Sequence, residues 1–348
     1  MRGVCFQSIG VVDYLELPDA SIESDDDVVV QVEMAGMCGS DLHPLFGREP
    51  GLDPGTVMGH EFVGKIIAKG SAVHDYQLGD RVYSPFTTSC GTCFYCLRGL
   101  TSRCVLGQPI GWRSNGRGLH GGQAELVRVP LANGTLVRVP PGLSAESALL
   151  LGDNFSTGYF CAEMANLEPH GQTVIIGCGS VGLLSIMAAQ FLGARNIVAI
   201  DPVERRREMA SQLGVMALEP STKAVDYVLE NTSGRGADSV MELVGMPDAQ
   251  RLAYQLIRPG GTMSVIGCHS SPGFAFTPTD AYNKNLTYRT GRCPARYYMG
   301  HLTDKVVEQN WKLDAMITHR FRPEECKHAY DVFANQKDGC IKGVFEFG

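Results

Sequence analysis

The distribution of apolar and polar positions changes near residue 154 and divides the chain into two parts. Before that point, short β-branched and apolar runs at 28–32, 62–68, 81–83 and 124–130 are separated by turns rich in glycine, proline and aspartate. Runs of this length with such punctuation are typical of short strands joined by turns. The pattern predicts a first domain that is rich in strands and loops.

After residue 154, strands that read as buried alternate with helical segments. The run 174–176 precedes a glycine-rich turn and a helical stretch that extends to Phe191, and the run 196–200 precedes a charged helix over 204–213. Further strands are predicted at 239–244, 262–266, 286–290 and, at the end of the chain, 343–347. Alternating strands and helices predict an α/β fold with a doubly wound parallel sheet.

Length and composition restrict the classes of protein to consider. The chain has 348 residues with 44% apolar and 19% charged residues, which is typical of a folded protein with about two domains. A net charge of -7 gives no overall basic surface, so we expect no nucleic-acid partner. The uncharged stretch 173–194 is long enough to span a membrane, but its glycines and β-branched residues favour a buried strand, turn and helix. We therefore expect no membrane association.

Four cysteines form the most specific motif. Two residues separate Cys90 from Cys93 and Cys93 from Cys96, and seven residues separate Cys96 from Cys104. This spacing lets four thiolates surround one tetrahedral zinc ion with no open position, so the site would brace a loop. An iron–sulfur cluster is the alternative that four cysteines leave open. The clustering and the lack of a signal peptide favour reduced thiols and a cytoplasmic protein.

A second group of ligand-type residues lies in two short motifs, CGSDLH at 38–43 and GHE at 59–61. Cys38 and His60 are strong zinc ligands, while Ser40 and His43 are candidate proton carriers. A catalytic zinc usually takes three protein ligands and keeps one position open. These motifs predict a catalytic zinc site that needs a third ligand from elsewhere in the chain.

Asp153 is the best candidate for that third ligand. It is an isolated carboxylate in the apolar segment 150–158, and a buried carboxylate is costly without a partner. The alternative is a carboxylate that caps a helix or a turn. Glu61, next to His60, could orient that imidazole, pair with a cation or approach the metal.

The turn after the strand 174–176 carries a dinucleotide-binding fingerprint. Gly177 allows a tight turn, Gly179 lets a pyrophosphate approach the backbone, and Gly182 lets helix and strand pack. The helix N-terminus at Ser180 and Val181 would face the phosphates.

Asp201 strengthens that interpretation because it stands 19 residues after Gly182, at the end of the next strand. A carboxylate there would accept hydrogen bonds from the adenosine ribose and repel a 2′-phosphate, so we expect NAD in preference to NADP. The arginines at 205–207, with Arg206 as the expected cofactor contact, weaken that preference. Their alternative role is a solvated helix face.

Together these motifs resemble the zinc-dependent medium-chain alcohol dehydrogenases over essentially the whole chain. The resemblance implies two zinc ions per chain, a catalytic one on Cys38, His60 and Asp153 and a structural one on the four-cysteine motif. An aspartate as third ligand looks like the branches that contain formaldehyde dismutase and the microbial secondary alcohol dehydrogenases.

The resemblance also implies roles for further residues. Ser40 and His43 match the family's proton relay, Thr157 matches a threonine near the nicotinamide, and Lys342 matches a basic residue that approaches the pyrophosphate. The implied fold is a GroES-like catalytic domain of residues 1–153 and 296–348 with a Rossmann domain of residues 154–295. A homodimer or homotetramer is also implied.

The expected function is hydride transfer between NAD(H) and an alcohol or carbonyl compound, with zinc lowering the pKa of the alcohol. The alternatives within the enzyme class are an aldehyde dismutase that retains NAD and a polyol or threonine dehydrogenase. The alternative outside it is a redox sensor that binds zinc and nucleotide. Four residues are candidates for determining substrate specificity, although each could instead serve only in packing: Phe46, Trp112, Leu119 and His120.

Overall fold

The computed structural model describes residues 1–270 and 273–348, and its contacts divide the chain into two units. The first unit is Met1–Ser156 with Pro294–Gly348, and the second is Thr157–Cys293. The sequence predicted the first boundary after residue 153, three residues before the observed one after Ser156. It predicted the second boundary after residue 295, two residues after the observed one at Cys293. Among the described residues, no helix has the length and apolar character needed to span a membrane.

Strands form the frame of both units and are numbered here in chain order. Those of the first unit are β1 (Arg2–Ser8), β2 (Val11–Glu16), β3 (Val28–Gly36), β4 (Thr56–Val57), β5 (Phe62–Lys69), β6 (Arg81–Tyr83), β7 (Trp112–Ser114), β8 (Arg117–Leu119), β9 (Leu126–Val129), β10 (Val137–Arg138), β17 (His319–Phe321) and β18 (Gly343–Glu346). Those of the second unit are β11 (Gln172–Ile176), β12 (Asn196–Ile200), β13 (Met216–Leu218), β14 (Ala237–Glu242), β15 (Ile257–Val265) and β16 (Thr287–Thr290).

Helices are more frequent in the second unit. The helices are α1 (Leu42–Leu45), α2 (Ala132–Thr135), α3 (Ala145–Gly152), α4 (Asn154–Met164), α5 (Ser180–Phe191), α6 (Glu204–Gln212), α7 (Thr222–Asn231), α8 (Pro247–Leu256), α9 (Pro278–Asn283), α10 (Ala295–Glu308) and α11 (Cys326–Ala334). Short 3-10 turns occur at Gly39–Asp41, Cys96–Arg98, Thr101–Arg103, Leu313–Met316, Pro323–Glu325 and Lys337–Gly339.

The main sheet of the first unit is centred on β3. This strand pairs antiparallel with β5, β9 and β18, and the β18 pairing sets Val344 opposite Gly36. A cluster of apolar side chains from β3, β5 and β6, including Val30, Phe62 and Val82, packs as its core. Because β18 lies at the end of the chain, the C-terminal segment completes a sheet that the N-terminal segment begins.

The second unit holds a parallel sheet of order β13-β12-β11-β14-β15-β16. Its central strands β11, β12 and β14 are buried along most of their length, as expected where helices cover both faces of a sheet. Successive strands are added outward from β11 to β13 on one side of the sheet, and then outward from β14 to β16 on the other side. Folds of this kind bind their ligands outside the carboxyl ends of the strands at the point where this order switches, here between β11 and β14. The α/β fold with a doubly wound sheet is therefore confirmed.

Candidate metal centres and dinucleotide site

A partly buried cluster of ligand-type side chains forms at one edge of the main sheet of the first unit. Its ligand atoms lie within 4.8 Å of one another and belong to Cys38, His60, Glu61 and Asp153. Cys38 follows β3 and His60 precedes β5. These strands are antiparallel neighbours with Ala35 opposite Phe62, so both side chains emerge at the same edge. Asp153 reaches them from the junction between α3 and α4.

The imidazole of His60 is held between two carboxylates. Its Nε2 lies 3.4 Å from Oδ2 of Asp153, which is itself 3.7 Å from Sγ of Cys38. Its Nδ1 lies 3.2 Å from Oδ1 of Asp41, whose other oxygen accepts the backbone N–H of Cys38 at 2.9 Å. A metal-binding histidine is usually oriented by a carboxylate that accepts a hydrogen bond from its other ring nitrogen. The sequence analysis gave Asp41 no role, although it lies inside the CGSDLH motif.

The charges of this cluster suit a divalent cation. Burial raises the pKa of the Cys38 thiol, and the neighbouring Asp153 carboxylate raises it further. Burial lowers the pKa of His60, but Asp41 and Asp153 outweigh that effect and hold it well above its usual range. Sulfur, imidazole nitrogen and carboxylate oxygen are the three donor types that zinc takes in proteins. The residues present therefore fit a zinc ion, whose charge would offset the crowded anionic groups.

Glu61 sits against this cluster with both carboxylate oxygens engaged. Oε1 accepts a hydrogen bond from Nδ2 of Asn154 at 2.8 Å, and Oε2 accepts one from Nζ of Lys342 at 2.5 Å. A Cβ on Gly36 would lie 2.2 Å from Oε2, so the glycine leaves room for this carboxylate. The sequence analysis did not single out Asn154, which directly follows Asp153.

The position of Lys342 corrects one expectation. The family resemblance implied that it approaches the pyrophosphate, but its side chain is 1% exposed and forms a buried ion pair with Glu61. Burial lowers the pKa of Lys342, but the Glu61 carboxylate more than compensates and raises it. Lys342 is therefore the counter-ion of a carboxylate beside the metal-ligand cluster.

The candidate proton carriers follow Cys38 closely in the chain, with Ser40 in the 3-10 turn Gly39–Asp41 and His43 in α1. Oγ of Ser40 is 3.4 Å from Nε2 of His60. His43 is partly buried, which lowers its pKa, and its Nδ1 has no hydrogen-bond partner among the described residues. Thr157 belongs to the second unit and lies partly exposed on α4.

The four-cysteine motif forms a second cluster in the first unit. Its four sulfur atoms also lie within 4.8 Å of one another. Local backbone amides point at them, because Cys90 N–H donates to Sγ of Cys104 at 3.2 Å and Cys93 N–H donates to Sγ of Cys90 at 3.3 Å. Hydrogen bonds from backbone amides, of which that of Cys96 has the largest effect, lower the pKa of the Cys93 thiol to about 6. Four convergent thiols fit a closed zinc site, and no disulfide links the cysteines of the described residues.

The glycine fingerprint of the second unit has the geometry that each glycine requires. Gly177 has φ +94°, a conformation that side chains with a Cβ rarely adopt. A Cβ on Gly182 would lie 1.8 Å from the carbonyl oxygen of Gly177, whereas one on Gly179 would meet nothing within 4 Å. Gly179 thus leaves open space before the N-terminus of α5, where Ser180 and Val181 are partly exposed. The residues fit a dinucleotide phosphate at this helix end.

Asp201 is buried at the end of β12 and braces the glycine turn. Its Oδ2 accepts the backbone N–H of Cys178 at 2.7 Å, and its Oδ1 accepts that of Val203 at 2.8 Å. Nη1 of Arg206 lies 3.7 Å from Oδ2. The neighbouring arginine side chains are directed elsewhere: Arg205 pairs with Glu208, and Arg207 donates to backbone carbonyls at the end of β12. Contact of Asp201 and Arg206 with a cofactor stays a prediction.

Two of the candidate specificity residues have structural roles. Leu119 is part of the core that packs under β3. His120 accepts the backbone N–H of Val57 at Nδ1 and lies 2.8 Å from a guanidinium nitrogen of Arg113. Phe86 presents its ring edge-on to His60 at 6.3 Å between ring centroids, which makes it an aromatic neighbour of the metal-ligand cluster.

Comparison with protein-family models gives two matches. Residues 24–141 match the alcohol dehydrogenase GroES-like domain, and residues 180–308 match the zinc-binding dehydrogenase domain. Together the two matches cover well over half of the chain.

Curated proteins and solved structures give consistent matches. A medium chain reductase/dehydrogenase of an Acremonium species is 45% identical over 293 residues, which cover 81% of this chain and 98% of the relative. Zinc-type alcohol dehydrogenase B of Aspergillus flavus is 39% identical over 100% of this chain and 82% of its own length. The structure of the alcohol dehydrogenase TADH from Thermus sp. ATN1 is 36% identical, with a TM-score of 0.92 and coverage of 99% of both chains.

Proposed function

The chain belongs to the zinc-dependent alcohol dehydrogenase family, and from that premise we propose that Cys38, His60 and Asp153 hold the catalytic zinc of an NAD-dependent alcohol dehydrogenase. Zinc-dependent oxidoreductase activity follows from the family, whereas the residues that perform it are our assignment. The observation that carries the assignment is the convergence of a sulfur, an imidazole nitrogen and a carboxylate oxygen, with Asp41 behind the imidazole.

The chain's own residues supply the remaining parts of the reaction. Zinc in this centre would lower the pKa of an alcohol hydroxyl and polarise a carbonyl. Ser40, beside His60, would take the hydroxyl proton, and His43 would carry it toward solvent. The residues of the glycine fingerprint would hold NAD, which would supply a hydride acceptor: the alcohol would lose its hydroxyl proton and a hydride from the carbon that bears the hydroxyl group, and would become a carbonyl compound.

Binding of NAD is assigned to the glycine fingerprint of the second unit. The open space at Gly179 and the exposed N-terminus of α5 support a pyrophosphate there. Asp201 supports NAD in preference to NADP, because a carboxylate disfavours a 2′-phosphate. Arg206, with a guanidinium nitrogen 3.7 Å from that carboxylate, is the residue that would limit this preference.

Three further assignments complete the proposal. The four-cysteine motif holds a structural zinc, which gives two zinc ions per chain. The chain works in the cytoplasm, where its clustered thiols stay reduced. It assembles as a homodimer or homotetramer, as its family resemblance implies.

The test combines metal analysis with turnover. We expect two zinc ions per chain by elemental analysis and formation of NADH, read by its absorbance, with a panel of primary and secondary alcohols. The Cys38→Ser variant should keep one zinc and lose turnover. One zinc per wild-type chain with no turnover would exclude the assignment of Cys38, His60 and Asp153, while leaving the four-cysteine site standing.

A further inference from the structure

The carboxyl end of β14 carries a buried carboxylate that joins two loops of the second unit. Glu242, the last residue of β14, is completely buried. Its Oε1 accepts the backbone N–H groups of Val244 and Gly245, both at 2.8 Å, and its Oε2 lies 2.9 Å from Nε2 of His269. The carboxylate therefore ties the loop after β14 to the loop after β15.

The two loops are also in direct backbone contact. The carbonyl oxygen of Glu242 accepts the backbone N–H of Gly267 at 3.2 Å. A Cβ on Gly267 would lie 2.1 Å from the backbone nitrogen of Gly245, and one on Gly245 would lie 2.6 Å from the carbonyl oxygen of Cys268. Side chains at either glycine would push the loops apart, so close packing fixes the position of His269 in addition to the carboxylate.

The imidazole of His269 is anchored through one of its two ring nitrogens. Its side chain is 21% exposed, and its Nδ1 makes no hydrogen bond to any residue that the structure describes. An imidazole held at one nitrogen presents the other in a fixed direction, as a donor or an acceptor according to its protonation. His269 is therefore oriented as a hydrogen-bonding group for a partner outside the chain.

The pair formed by Glu242 and His269 lies beside the glycine fingerprint. Glu242 stands opposite the last residue of β11 in the parallel pairing of β11 with β14. A Cβ on Gly177 would lie 2.7 Å from Cγ2 of Val244, so the loop after β14 packs directly against the fingerprint turn. Since the strand order switches between β11 and β14, the pair lies on the side of that point away from Asp201, which follows β12.

The order of groups along a dinucleotide indicates which part of it lies there. With NAD at the fingerprint, as proposed above, the adenosine ribose is near Asp201 and the pyrophosphate is at the N-terminus of α5. A dinucleotide crosses the point where the strand order switches, so the next group, the ribose that carries the nicotinamide, is directed toward β14 and β15. Ribose hydroxyls both donate and accept hydrogen bonds, which suits a fixed imidazole nitrogen.

We propose that His269, held in place by Glu242, forms a hydrogen bond with a hydroxyl group of the nicotinamide ribose of NAD. His269 is then a binding residue for that half of the cofactor, and Glu242 is a positioning residue because it acts through the imidazole. The inference rests on the proposed use of NAD and adds a contact to it. It does not depend on which residues hold the catalytic zinc.

The first test compares whole and partial cofactors on the zinc-loaded chain. We expect His269→Ala to weaken binding of NADH and of ADP-ribose at least about fivefold in calorimetric titrations, since both ligands contain the second ribose. AMP, which has only the adenosine half, should bind within about twofold of its wild-type affinity. The matched control is His170→Ala, because His170 is the other histidine of the second unit and precedes β11, at the opposite end of the sheet.

The three ligands separate this contact from the alternatives. Weaker binding of NADH without weaker binding of ADP-ribose would place the contact on the nicotinamide ring and overturn the proposal, as would unchanged affinity for both. Equal weakening of AMP would reveal a general structural effect and would also overturn it. A wild-type chain that binds none of the three ligands would contradict the proposed use of NAD itself, and this inference with it.

The second test uses the unmodified chain and so does not depend on a variant folding. Diethyl pyrocarbonate modifies accessible imidazole nitrogens, and peptide mass spectrometry follows each histidine separately. Saturating NADH or ADP-ribose should slow modification of His269 at least about fivefold, because a bound ligand and the groups that it contacts are largely enclosed. AMP should not slow it, and His170 should react at a constant rate with all three ligands. Modification of His269 at the same rate with and without saturating NADH would refute the contact.

Discussion

The two cysteine-containing clusters of this protein are built in opposite ways. The lobe cluster, which consists of Cys90, Cys93, Cys96 and Cys104, takes four identical donors from fifteen consecutive positions, and local backbone amides point at its sulfur atoms. The mixed cluster of Cys38, His60 and Asp153 takes three kinds of donor from distant segments, and it is partly buried among further charged groups. The first needs only its own loop, whereas the second needs the whole first unit to be folded.

This difference implies that the lobe cluster has a structural role and that the mixed cluster can take part in a reaction. Four thiolates saturate a tetrahedral ion, so the lobe can brace a loop but offers no position for a substrate. The mixed cluster offers three ligands and leaves a position for a substrate. Asp41 orients His60, and Asn154 and Lys342 hold the Glu61 carboxylate next to the ligands.

Loss of a ligand from the mixed cluster should have the largest effect. We expect Cys38→Ser or His60→Ala to lower kcat by more than about 10³-fold, because Lewis-acid and proton-release chemistry both depend on the metal. NADH binding, followed by its fluorescence, should stay within about threefold because the glycine fingerprint is untouched. The control is His301→Ala, a histidine outside the cluster. A folded variant that loses NADH binding would contradict the separation of the two sites.

The buried ion pair should have the next largest effect, on stability. Lys342→Met leaves the Glu61 carboxylate buried without its cation, and we expect it to lower the free energy of unfolding by about 3–5 kcal/mol in urea titrations. The matched control is Lys65→Met, which breaks an exposed pair with Glu33 and should cost less than about 1 kcal/mol.

A second variant distinguishes lost charge pairing from lost packing. Lys342→Met combined with Glu61→Gln removes both charges, so most of the stability should return. If the double variant is as unstable as Lys342→Met alone, the ion pair is not the cause. An equal cost for Lys342→Met and Lys65→Met would also contradict the buried-pair interpretation.

Removal of the carboxylate behind His60 should have a smaller effect. We expect Asp41→Asn to lower zinc affinity of the mixed cluster by about 10–100-fold, because the imidazole is no longer oriented by an anionic acceptor. Competition with a chelator measures this affinity, and the lobe zinc provides the internal reference. Equal weakening at both clusters would show that the substitution acts through general unfolding.

Sequence patterns located the long and strongly apolar elements. The strand 196–200 coincides with β12, and the helix after the glycine turn ends at Phe191 as predicted. Strand β13 was missed because its three residues, Met216–Leu218, are not deeply buried and become a strand only by pairing with the edge of β12. Strand β15 begins at Ile257, before the predicted 262, since Pro259 and the glycines after it look like a turn.

In the candidate site, too, features that depend on contacts between distant segments could not be predicted from the sequence. Spacing along the chain is enough to suggest the four-cysteine lobe, because its geometry is local. The role of Asp41 depends on the pairing of β3 with β5, which brings Cys38 and His60 to one edge, and no short motif encodes that pairing. The family resemblance assigned Lys342 to the pyrophosphate, and its burial against Glu61 could not be seen because sequence gives the charge of a residue but not its exposure.

Loss of a ligand from the lobe should have the smallest effect on turnover. Cys104→Ser removes one of four thiolates, so the lobe should lose its zinc while the initial rate at 25 °C, per folded chain, stays within about threefold, because a closed site takes no part in the reaction. Inactivation on heating should be faster, since zinc binding contributes directly to the folding of such a loop. Elemental analysis, initial rates and inactivation half-lives measure the three effects. If turnover instead fell as far as in Cys38→Ser, the lobe would be part of the reacting centre and the contrast between the two clusters would not hold.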